Sequence, residues 1–168
     1  RICHNMPRHN IKEPVNLTLP NAEFLPKVVE LVNEGHSVTI KLKGFSMRPF
    51  LEDNRDKAVL VKPLCPKSGD AVLAEISKGY FVLHRIRSID SEGNVVLLGD
   101  GNLSCEYCRI ENVVAAAKGF YRKGRDKIDY TDGIKWKAYS FIWTKLTPIR
   151  RYLLAAYRRI WIPLFGPM

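Results

Sequence analysis

Between Ser37 and Tyr121 the chain is a succession of short strand-like stretches, each closed by a turn signal, with no ten-residue helical period among them. Ser37–Lys43 (SVTIKLK) alternates apolar and polar residues, as a strand with one buried face does. Lys57–Lys62, Asp70–Ile76, Tyr80–Ile89, Asn94–Leu98 and Asn112–Tyr121 are rich in Val, Ile, Leu or aromatic residues. The punctuation between them is Glu52-Asp53-Asn54, Pro66-Lys67-Ser68-Gly69, Ser77-Lys78-Gly79, Ser91-Glu92-Gly93 and Asp100-Gly101-Asn102. Parallel strands need crossover helices, and none is encoded here. The pattern therefore predicts a mainly β, antiparallel domain.

The flanks read differently. Residues 1–20 are polar and contain proline, with no apolar core of a secretory signal, and read as a disordered lead-in. Asn21 to Glu34 carries Phe24, Leu25, Val28, Val29, Leu31 and Val32 near a 3.6-residue period, with Asn21 as cap and Gly35 as stop. This short N-terminal helix belongs with a β domain over residues 21–126. Residues 135–168 form a basic helical tail, in which Trp136–Leu146 and Thr147–Ile162 are the predicted helices. Thr147-Pro148 is a cap and first-turn pair. Ile142, Leu146, Ile149, Leu153, Ala156, Ile160 and Leu164 trace one apolar stripe through it.

Charge bears on partners. The 168 residues hold 27 Lys and Arg against 17 Asp and Glu, a formal net of +10, and no acid follows Asp132. Such an excess favours an anionic partner. The tail adds Trp136, Trp143, Trp161, Tyr139, Tyr152 and Tyr157, residues that favour the headgroup layer of a membrane. An anionic membrane surface and packing of the tail on the β domain are equal expectations. Nucleic acid ranks below both, because no recognisable binding motif occurs. No uncharged apolar run reaches the roughly 18 residues of a membrane-spanning helix, and the expected location is cytoplasmic with peripheral membrane contact. Cys105 and Cys108 are spaced as a Cys-x-x-Cys pair with no second pair to complete a zinc site. They read as free thiols in a loop, and neither metal nor cofactor is expected.

Four pieces of the β region carry polar residues at strand ends: Gly44-Phe45-Ser46-Met47-Arg48-Pro49, Lys67-Ser68-Gly69-Asp70-Ala71-Val72, Val82-Leu83-His84-Arg85-Ile86, and Leu98-Gly99-Asp100-Gly101-Asn102 with Glu106 beyond it. A serine hydroxyl needs a neighbouring base to become a nucleophile, and histidine is the natural base near neutral pH. A carboxylate on the other ring nitrogen fixes the tautomer and steadies the imidazolium. By strand alternation Arg85 points to the face opposite His84, and it reads as solvated.

In order and local sequence, these pieces resemble the signal peptidase I and SOS-repressor (LexA-like) superfamily of serine peptidases. Those proteins carry a Ser-Met-x-Pro box, a Gly-Asp-x-Val box, a Lys-Arg or His-Arg box and a Gly-Asp-x-Asn box, and all four occur between Gly44 and Gly119. The resemblance implies a signal-peptidase/LexA-like β domain with Ser46 as nucleophile. It makes His84 the base, as in the histidine type of the endoplasmic reticulum and archaea. Either Asp100 or Glu106 then orients His84. Asp100 is favoured for its better-matched box, and outside this role Glu106 reads as a surface charge. Gly44, Phe45, Met47 and Pro49 fall in the substrate and oxyanion region. Gly44 stands where many signal peptidases carry a serine that helps hold the oxyanion, so backbone N–H groups take that task. The apolar anchor that precedes the family's nucleophile box is missing.

The expected function is that of a serine endopeptidase resembling signal peptidases. It would cleave an extended signal- or leader-like peptide that adds a strand beside the site. The alternative is a catalytically silent peptide-binding or regulatory module of the SOS-repressor kind, although residues 1–36 contain no helix-turn-helix pattern.

Overall fold

The computed structural model describes residues 12–15 and 21–168. The alternating stretches become strands β2 (His36–Lys41), β3 (Lys57–Val61), β4 (Ala71–Ser77), β5 (Tyr80–Ile89), β6 (Asn94–Leu98) and β8 (Val113–Tyr121), within a residue or two of their expected limits. Three further strands are too short for a periodic signal: β1 (Lys12–Val15), β7 (Glu106–Arg109) and β9 (Ile128–Tyr130). Among the described residues all nine form one sheet, in the order β1-β2-β3-β8-β4-β5-β6-β7, with β9 on β8. Every pairing is antiparallel except β1 with β2. The lead-in was expected to lack structure, yet Lys12–Val15 is held as a strand on the edge of β2; the rest of residues 1–20 lies outside the described residues.

Helix α1 (Asn21–Asn33) ends at Gly35, whose φ of +90° suits glycine and stops the helix. Its Val28 and Val32 are fully buried with Val38, Leu60 and Phe120 in the larger core. A second core, with Val72, Ile86, Val95 and Leu97, lies under β4, β5 and β6.

The basic tail is part of the domain rather than an appendage. It comprises α2 (Ile134–Lys145), a 3₁₀ turn at Thr147–Ile149, α3 (Arg150–Ala156), a π-type turn at Tyr157–Trp161 and α4 (Ile162–Phe165). Helix α2 buries Trp136, Ser140 and Trp143. The Trp136 ring stands 4.8 Å from that of Phe50 and 4.9 Å from that of Phe120. A core tryptophan of this kind is worth about 3–5 kcal/mol on truncation to alanine, so α2 is bound to the sheet by packing. The expected stripe is not the buried one. Ile142, Ile149, Ile160 and Leu164 are exposed, whereas Leu154 and Tyr157 are buried. The buried face instead runs through Trp136, Ser140, Trp143, Arg150, Leu154 and Tyr157 and keeps its phase across Thr147-Pro148, because the side chains that meet the sheet are aromatic or hydrogen-bonding rather than aliphatic. Among the described residues, no helix is long and apolar enough to cross a membrane.

Candidate active site

Ser46 lies in a looped segment between β2 and β3 that is fixed from below. Met47, Phe50 and Leu51 are buried in the larger core. The Gly44 N–H donates to Asp53 Oδ1 at 2.7 Å, and Leu51 N–H to the Met47 carbonyl at 3.0 Å. Arg48 is paired with Glu52, and its guanidinium covers the Phe45 ring at 4.0 Å. Buried anchors on both sides of a half-buried serine leave its position little freedom.

The other half of the site comes from the pleat of β5, β6 and β7. Cross-strand partners share a face, and next neighbours along a strand alternate. Arg85 pairs with Leu98, Ile86 with Leu97, and Leu97 in turn with Glu106. His84 therefore shares a face with Ile86, Leu97 and Glu106, while Arg85, Leu98 and Asp100 belong to the opposite one. The side chains follow this parity. His84 Nδ1 stands 2.5 Å from Glu106 Oε2 as a close ion-pair contact, and neither atom meets hydrogen-bond geometry with any described residue.

This geometry corrects the expectation for Asp100. Its carboxylate is fully buried and takes a bidentate pair of hydrogen bonds from Arg85, Nε to Oδ1 at 3.0 Å and Nη2 to Oδ2 at 2.7 Å. The Tyr139 hydroxyl donates to the same carboxylate at 3.0 Å, and Trp143 Nε1 to the Asp100 carbonyl at 3.1 Å. Arg85 points away from His84 as expected, but it is 4 % exposed rather than solvated. Its Nη1 bonds the Gly69 carbonyl at 2.9 Å and Ser140 Oγ at 2.5 Å, and its plane lies 4.7 Å from the Trp136 ring. A buried guanidinium has to be paired, and Asp100 is the carboxylate on its face. Burial and Asp100 together push the Tyr139 phenol well above its usual range, so it remains a donor.

Asp100 nevertheless positions the site, because its turn touches both halves. The Gly101 N–H donates to the Ser46 carbonyl at 2.7 Å. A methyl group on Gly99 would stand 2.5 Å from the Ser46 carbonyl oxygen and 3.0 Å from His84 Nε2. On Gly101 it would stand 2.5 Å from the Phe45 carbonyl oxygen. Only glycine permits that approach. Arg158 closes the arrangement from the tail, donating from Nη2 to the Gly101 carbonyl at 3.0 Å.

Ser46, His84 and Glu106 face one cleft of about 240 Å³, with Gly44 and Met47 from the Ser46 segment, Asn102 from the turn, and Leu42, Leu51, Phe81 and Leu83 as apolar walls. Phe45 and Pro49 do not line it: Phe45 lies under Arg48, and Pro49 is buried. His84 is 3 % exposed. Burial holds its imidazole below the ordinary value of 6.5 and outweighs the Glu106 carboxylate, which pulls the other way. A neutral ring at neutral pH is the form that accepts a proton.

The sequence reading missed Arg85, Tyr139, Trp143 and Arg158 as supports of the site. The only available signal was that a buried arginine demands a carboxylate on its own sheet face. Cys105 and Cys108 are free thiols, both half-buried. No protein-family model matches the chain, and neither a curated protein nor a solved structure matches it.

Proposed function

We propose that the chain is a serine endopeptidase of the signal-peptidase kind, acting through Ser46, His84 and Glu106. The observation that carries this reading is the placement of His84. Nδ1 stands 2.5 Å from Glu106 Oε2, and His84 lines one cleft with Ser46, whose hydroxyl makes no hydrogen bond to the ring among the described residues and would meet Nε2 on substrate binding. Ser46 Oγ attacks the peptide carbonyl, and His84 Nε2 takes its proton. The C–N bond then breaks as Nε2 returns that proton to the leaving amine. Water, deprotonated by the same nitrogen, cleaves the acyl ester and restores Ser46. Glu106 holds Nδ1–H and steadies the imidazolium. The oxyanion falls to backbone donors, with the Ser46 N–H the first of them. It has no acceptor among the described residues, whereas the Gly44 N–H is committed to Asp53.

The substrate enters as an extended strand. Along Tyr80–His84, β5 is paired with β4 on one side, while β6 joins the other side only from Arg85 onward. The edge left open borders the cleft and faces Leu42–Gly44. A peptide laid there gains backbone hydrogen bonds and reaches Ser46 with its scissile bond. A cleft of this volume with four aliphatic or aromatic walls suits small apolar residues before the cut, in line with signal- or leader-like peptides.

The test is incubation of the purified chain with a mixed pool of synthetic peptides, read by mass spectrometry. New termini are expected with the native chain and none with Ser46→Ala or His84→Ala. Cleavage that persists in Ser46→Ala removes the proposal.

A further inference from the structure

We propose that the outer face of the C-terminal helices docks the protein on an anionic lipid surface. Residues 133–168 hold seven Lys and Arg and no Asp or Glu, so this segment carries most of the chain's net charge of +10. Lys135 is paired with Asp129. Among the described residues, Lys137, Lys145, Arg151, Arg158 and Arg159 have no carboxylate partner. Interleaved with them are large apolar side chains that folding leaves in water. On α2, Ile134, Phe141 and Ile142 oppose the buried Trp136, Ser140 and Trp143 and are 88 %, 66 % and 56 % exposed. Near the end of the tail, Ile160, Trp161, Leu164 and Phe165 are exposed, and the Trp161 and Phe165 rings pack together at 4.9 Å.

This face is held in place, so its exposure is not that of a loose end. Arg158 is bonded to the Gly101 carbonyl, Arg55 Nη2 to the Met168 carbonyl at 2.6 Å, and the Met168 N–H to the Tyr157 hydroxyl at 3.1 Å. Exposed aromatic and aliphatic groups among cations that have no carboxylate partner among the described residues fit a bilayer, which offers phosphate charge and an apolar layer at adjacent depths. Nucleic acid offers the charge without the apolar layer, and leaves Ile142, Leu164 and Phe165 unexplained. A second copy of this chain presents the same positive charge and is repelled. The inference does not depend on the peptidase reading, because it uses none of the residues of the cleft.

The experiment is sedimentation of the full chain with vesicles of phosphatidylcholine alone or mixed with phosphatidylglycerol. Binding is expected only to the mixed vesicles, at least about tenfold tighter than to neutral ones, and weakened when salt rises from about 0.1 to 0.5 M. Phe141→Ser with Phe165→Ser, and separately Arg151→Glu with Arg159→Glu, each lowers that binding about tenfold or more, with thermal unfolding unchanged. A chain that stays in solution with anionic vesicles overturns the proposal. So does binding that ignores the Phe substitutions and is competed by duplex DNA, which assigns the face to nucleic acid. A third overturning result is self-association that the Phe substitutions abolish while vesicle binding is unaffected.

Discussion

Glu106 reaches His84 from two strands away, with 2.5 Å between its Oε2 and the ring Nδ1. The contact spans β7, β6 and β5 because the register Ile86–Leu97–Glu106 puts every second side chain on one face. If that carboxylate orients the base, Glu106→Gln lowers kcat by about 100-fold or more, as loss of the orienting acid does in other serine triads. Global stability changes by less than about 1 kcal/mol, since Glu106 is part-exposed. Steady-state kinetics beside urea denaturation separate the two effects. A fall in stability with kcat unchanged would return Glu106 to a structural role.

The pH profile follows from the same pair. Burial depresses the His84 pKa below 6.5, so the neutral ring predominates at pH 7. For the native chain, the acid limb of kcat/KM is centred below pH 6.5. In Glu106→Gln the carboxylate that pulled the value upward is gone, so the acid limb moves to still lower pH. Stability has the same sign: the unfolded chain takes up this proton first, so stability is lost as pH falls from 6.5 toward the depressed value. An acid limb centred above pH 7, or one that moves upward in the variant, contradicts the assignment.

Asp100 is expected to behave in the opposite way. Asp100→Asn leaves the Arg85 guanidinium buried without its counter-charge, at a cost of about 3–5 kcal/mol. A denaturation midpoint close to that of the native chain shows that the network is replaceable.

Gly99→Ala tests the contact between the turn and the two halves of the site. The new methyl, 2.5 Å from the Ser46 carbonyl oxygen and 3.0 Å from His84 Nε2, forces one of them to move. Overpacking of this kind costs about 1–3 kcal/mol. Because catalysis depends on sub-ångström placement, kcat/KM falls about 100-fold. Gly93→Ala serves as the control for a strained glycine remote from the cleft: its φ of +83° and the Ile110 side chain make alanine costly to stability, yet activity per folded molecule survives. Equal activity in Gly99→Ala and the native chain removes the turn from the positioning of Ser46 and His84.

The strands were readable because each long one carries its own period and its own closing turn. β7 was not, since Glu-Tyr-Cys-Arg is four residues with no apolar alternation. That omission decided the acid. Without β7 the register that puts Glu106 under His84 has no expression in the sequence, and Asp100 stands in the more conspicuous motif. The face of Arg85 was legible from alternation, but its burial was not, because Tyr139, Ser140 and Trp143 arrive from a helix some fifty residues downstream. The tail's seven-position stripe failed because aliphatic periodicity was taken as the buried face, whereas the face that meets the sheet, Trp136, Ser140, Trp143, Arg150, Leu154 and Tyr157, is aromatic and polar and carries no aliphatic signal.

The turn at Gly99–Asn102 donates to the Ser46 carbonyl and accepts from Arg85, Tyr139, Trp143 and Arg158. During synthesis these partners leave the ribosome in that order. A nascent chain stopped at residue 130 already contains Ser46, His84 and Glu106, but three of the five restraints on the loop between them do not yet exist. Completion of these restraints on the turn between Ser46 and His84 thus waits until the chain has reached Arg158.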